Sequence, residues 1–89
     1  MTDNNTSLMQ FPCHFPIKVI GIKTANFVSD VTLITRKYFP NTRDEDITSQ
    51  DSKQSNYISL TLTVYAENQT TLDALYLELT KHPDMKMVL

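Results

Sequence analysis

The chain has 89 residues, 40% hydrophobic and 20% charged, with a formal net charge of −2. Such a chain makes one globular domain with a single modest core, and its composition is neither disordered nor membrane-spanning. Eight basic against ten acidic residues exclude the basic surplus of a nucleic-acid binder, and one cysteine excludes an internal disulfide.

Residues 1–10 lack periodicity and read as a flexible N-terminal arm before a single domain over 11–89. They offer no basic, apolar leader, and no apolar run approaches the ~18 residues of a membrane span. A cytoplasmic location without membrane contact is expected.

The segment 17–22, Ile-Lys-Val-Ile-Gly-Ile, is short and β-branched, and it is entered through Pro12 and Pro16, so it predicts a strand with Gly21 near its exit. Thr24 then stands where a helix cap is needed. Phe27, Val31, Ile34 and Tyr38 recur at i, i+4, i+7 and i+11, one apolar stripe of a helix starting at Ala25. Arg36 and Lys37 suit its C-terminal dipole, and Pro40 ends it. The acidic loop 41–46 leads to a weak strand over 47–50, and 51–56 reads as a hairpin connection.

Residues 57–66 form the clearest strand. Ile58, Leu60, Leu62, Val64 and Ala66 point one way; Tyr57, Ser59, Thr61, Thr63 and Tyr65 point the other. Asn68 is a cap for a second helix, whose Leu72, Leu75, Tyr76 and Leu79 share a face. Lys81 and His82 close that helix as cations, Pro83 stops it, and 85–89 makes a last strand. The order β-α-β-β-α-β predicts an α+β, ferredoxin-like sandwich: a four-stranded antiparallel sheet with two helices on one face. Right-handed crossovers put the first and third strands at its centre.

Several spaced residues resemble the signature of the YbeD family of small bacterial cytoplasmic proteins. They are Leu8-Met9-Gln10-Phe11-Pro12 followed by Phe15, Lys18-Val19 and Gly21, then Asn56-Tyr57-x-Ser59, Leu75-Tyr76-x-Glu78-Leu79, and Lys86-Met87-Val88-Leu89. The resemblance spans 8–89. It departs at Ser55, where the family usually has glycine, and in a slightly longer, more acidic loop from Pro40 to Asn56. It implies the ferredoxin-like fold, similar to ACT domains, the small modules that bind amino acids and regulate metabolic enzymes.

Two surfaces are candidate sites. Gly21, Lys23, Thr24 and Asn26 lie where a helix start leaves N–H groups free, so a small anionic metabolite is expected there. Lys18, Ile20, Thr61, Thr63, Tyr65 and Lys86, with Ile22 and Val88, are placed on the open sheet face as a partner interface for a metabolic enzyme or a second copy of the chain.

Catalysis finds little support. Cys13 and His14 are neighbours in an extended segment and point to opposite sides. Cys13, His14 and His82 lack metal-ligand spacing, and Asp44, Glu45 and Asp46 lack the glycine and distal glutamate of a calcium loop. Gly21 is the only glycine, which excludes a Gly-rich phosphate loop, and no cofactor is expected. Tyr57 and Tyr65 are too far apart on an acidic domain to stack RNA bases. The reading is a non-catalytic regulatory or metabolite-sensing module of ACT-like type. The alternative is an adaptor using the open face or the edge strand over 47–50.

Overall fold

The computed structural model describes residues 11–51 and 56–89. The expected arm over 1–10 and the turn at Ser55 lie outside the described residues. The elements run β1 (Cys13–Ile22), α1 (Phe27–Tyr38), a 3-10 turn (Asp44–Asp46), β2 (Ile47–Asp51), β3 (Tyr57–Ala66), α2 (Gln69–Thr80) and β4 (Met85–Val88). They form one antiparallel sheet in the order β2-β3-β1-β4, with β1 and β3 central as the crossover rule requires.

β1 starts four residues earlier than periodicity indicates and runs straight through Pro16. Register explains why a proline is tolerated. The backbone N–H and C=O of Lys18 both bond Leu89, at 3.3 and 2.7 Å, and the N–H of Ile22 reaches the carbonyl of Asp84 at 2.9 Å. Even-numbered residues of β1 therefore address the β4 side. Pro16 turns its donor-less nitrogen that way too, beyond the end of β4, where no ladder bond is lost.

The helices cover one face. Ile17 and Val19 of β1 and Leu60, Leu62 and Val64 of β3 pack fully buried against Phe27 and Val31 of α1 and Leu72, Leu75 and Leu79 of α2. Burying such side chains is worth about 1.5–3 kcal/mol each. Thr35 joins the α1 stripe because its hydroxyl bonds the carbonyl of Val31 at 2.8 Å, while Ile34 and Tyr38 are half-buried at the margin.

Two expectations need correction at the element ends. Thr24 does not cap α1. Asn26 holds the N-cap position without a side-chain bond, and the Thr24 hydroxyl donates instead to Asp84 at 3.0 Å. Val88 does not face the open side of the sheet, because it pairs with the inward-facing Val19 and packs on the core. His82 does more than close α2: its side chain is 9% exposed, held between Asp30 and the backbone of Asp84. By contrast Asn68 caps α2 as read from the sequence, its Oδ1 accepting from the N–H of Thr71 at 2.9 Å.

Candidate functional site

The sheet face opposite the helices carries cross-strand rows set by the register. Thr48, Thr61 and Lys18 stand side by side, with Leu89 bonded to the backbone of Lys18; Gln50, Ser59, Ile20 and Met87 form the next row. Towards one end Tyr57 faces Ile22; towards the other Thr63 faces Pro16 and Tyr65 faces His14. Tyr57, Tyr65, Met87 and Leu89 are 46–59% exposed. Lys18, Ile20, Thr61, Thr63 and Tyr65 thus share one surface. Lys86 does not pair. The register shifts between Ile20 and Gly21, leaving Lys86 exposed at a bulge while Met87 takes the place opposite Ile20. Sequence alternation missed Met87 because a bulge resets the period of two without a local signal.

At the turn between β1 and α1 the four candidate ligand residues have been given other work. Gly21 is buried beneath the Phe27 ring, and an added Cβ would meet Cζ, Cε1 and Cε2 of that ring. Lys23 pairs with Asp51 at 3.0 Å, and its backbone N–H reaches the carbonyl of Asn56 at 2.6 Å. Thr24 is bound to Asp84, and Asn26 accepts through its carbonyl from the N–H of Asp30. Lys23 and Thr24 are therefore already held by the chain's own carboxylates, Asp51 and Asp84, against which an incoming anion must compete.

His82 beside Asp30 has the outline of a catalytic dyad. Its Nε2 lies 2.9 Å from Asp30, its Nδ1 accepts the N–H of Asp84 at 3.0 Å, and its ring meets Phe27 edge-on at 5.4 Å. Both nitrogens are occupied, so neither is left to take a proton from a substrate. The pair is a clamp between α1 and the α2–β4 turn. Cys13 pairs with the inward-facing Ala66 and His14 with the open-face Tyr65, so thiol and imidazole lie on opposite sides of the sheet. Among the described residues no group of three or more His, Cys, Asp or Glu is placed to hold a metal ion.

A cluster joins the two helices: Tyr38 donates to Glu78, and Lys37 lies 3.1 Å from the same carboxylate. Those two donors hold the Glu78 carboxyl below the usual carboxylate range, and the hydrogen bonds in turn raise Tyr38 and Lys37. The cluster fastens α1 to α2.

A cleft opens at one end of the sheet. β3 runs past Leu62, its last residue opposite β2, and the segment 39–46 folds along the overhang instead of pairing as a strand. Between that segment, His14 at the start of β1 and Asn68 at the cap of α2 opens a cleft of about 380 Å³. It joins residues far apart in sequence, so spacing alone does not expose it. The signal available was the mismatch between a ten-residue strand and a five-residue partner.

The family model described as "Protein of unknown function (DUF493)" matches residues 6–89. A UPF0250 protein of Chromobacterium violaceum is 38% identical over 89 residues, covering 100% of each chain. One from Neisseria gonorrhoeae is 41% identical over 87 residues, covering 98% of this chain and 96% of its own. The solution structure of protein HP0495 from H. pylori superposes with a TM-score of 0.69 at 14% identity, covering 91% of this chain and 85% of that one. At that identity the likeness concerns the fold alone.

Proposed function

The chain belongs to the DUF493 family, that of the UPF0250 proteins and YbeD, and on that footing we propose a regulatory module, without chemistry of its own, that docks a partner protein on its open sheet face. One observation carries this reading: a whole face of the four-stranded sheet lies outside the helical layer and presents Ile20, Tyr65, Met87 and Leu89 among Lys18, Thr61 and Thr63. Apolar and aromatic groups set among polar ones are the composition of a docking surface. The matched relatives support action in trans. The two named above are covered over 96–100% of their own length, which leaves no room in them for a fused enzyme to regulate.

Metabolite sensing at Gly21, Lys23, Thr24 and Asn26 is the weaker half of the reading. An anion there must displace Asp51 from Lys23 and Asp84 from Thr24.

The test is affinity capture by the folded chain in extract of its native cell. A metabolic enzyme is expected with the wild type, lost with Thr61→Glu at the centre of the face, and retained with Leu33→Glu on the outer side of α1. Capture that survives Thr61→Glu, or that Leu33→Glu abolishes equally, overturns the proposal. Thr61 is apt for the change because Lys18 lies opposite it and offsets the new charge.

A further inference from the structure

We propose that the cleft between the start of β1, the overhang of β3 and the N-terminal end of α2 binds a small organic cation, an alkylammonium or guanidinium compound, with its charge on Glu67 and its carbon chain along Tyr65. The argument begins with size. About 380 Å³ falls within the usual range of small-molecule sites, about 300–1,000 Å³, and equals roughly a dozen water volumes of ~30 Å³ each.

Charge then selects the ligand. The wall holds two carboxylates, Asp46 and Glu67, against one guanidinium, Arg43. Arg43 is already committed: it pairs with Glu45 at 2.9 Å and approaches Asp46 at 3.8 Å, and its backbone N–H donates to Asp46 at 3.0 Å. Glu67 makes no hydrogen bond or ion pair among the described residues. The uncompensated charge of the cleft is therefore negative, and an anion is disfavoured despite the nearby helix start, where the Asn68 side chain already takes the Thr71 N–H.

A second, independent feature points to a missing partner. Thr42 stands in the wall, 8% exposed, and its Oγ1 is buried without a hydrogen-bond partner among the described residues. The residue is held at both ends of its backbone, its N–H by the carbonyl of Phe39 at 3.1 Å and its C=O by Nε of Arg36 at 3.0 Å. A buried hydroxyl left unpaired is costly, and an ammonium or guanidinium offers several donors at once. Binding in this mode requires the Thr42 side chain to rotate about χ1 so that its buried oxygen meets such a donor. The rings of Tyr65 and His14, 5.0 Å apart, complete an aromatic wall suited to a cation and its alkyl chain.

The test is an amide-resolved NMR titration of the full chain with 1,4-diaminobutane and with agmatine. Butane-1,4-diol and succinate serve as neutral and anionic controls of the same length. The expected result is saturable shifts confined to residues 41–43 and 65–68 with either amine and none with the controls. Glu67→Gln, an exposed change that leaves the core alone, should weaken binding at least tenfold. Thr42→Val should weaken it several-fold while leaving thermal stability unchanged or higher, because the orphan hydroxyl is removed. Saturation by succinate with the amines silent would reassign the cleft to anions. Shifts that never saturate, or binding untouched by Glu67→Gln, would likewise overturn the proposal.

Discussion

Gly21 illustrates how one residue can be read correctly for place and differently for purpose. Its position at the end of β1 is plain from the sequence, and a glycine before a helix start invites a ligand reading. What it accepts is the Phe27 ring, seated on bare backbone. A methyl group at Gly21 has to push a fully buried ring out of its place. Gly21→Ala is therefore expected to destabilise the domain by about 1–3 kcal/mol, the usual cost of overpacking a core, seen as a lower midpoint in urea with an unchanged slope. A neutral or stabilising substitution would mean that the ring moves freely. Thr24 and His82 make the same point: each side chain was legible, and each partner, Asp84 or Asp30, lies more than fifty positions away.

At the scale of elements, the two helices begin under different regimes. Asn68 supplies a side-chain oxygen to the first turn of α2, whereas Asn26 holds the same position in α1 with no such bond. Asn68→Ala should cost about 1 kcal/mol, as for other lost caps, while Asn26→Ala should change stability by a few tenths at most. Thermal melts of the two variants side by side check this, and equal losses would contradict the assigned capping. The apolar stripes of both helices were readable from spacing because period 3.6 commits a face to the core. The start of β1 was not, because whether Pro16 can sit in a strand depends on how far β4 extends along it.

Across the whole molecule, pH reports how the two helices are held together. The Tyr38 hydroxyl and Lys37 ammonium lower the pKa of Glu78, so its contribution is present above the ordinary carboxylate pKa and is lost as pH falls through the depressed one. Lys37 and Tyr38 are shifted upward by the same carboxylate. Their contributions are present below their ordinary values and are lost as pH rises through the raised ones. The stability difference between wild type and Glu78→Gln should therefore be level from about pH 6 to 9 and shrink below about pH 4. A difference that grows on acidification would refute the coupling. At this scale, too, the open face and the cleft become adjoining surfaces that share His14, Thr63 and Tyr65, one formed by strand register and the other by an overhang.

The sequence by itself determined the order of elements, the two core-facing stripes, the inward and outward residues of β3 and the membership of the sheet's centre. Each of these follows from local periodicity, end signals or the handedness of crossovers, which a single chain segment carries. The tertiary structure decided what the remaining polar residues do. Lys23 is countered by Asp51, His82 is closed on both nitrogens, a bulge moves Met87 to the open face, and a short β2 leaves Thr42 and Glu67 beside a cleft. Those outcomes depend on which distant residue arrives opposite, and pairing distance is a property of the folded sheet alone.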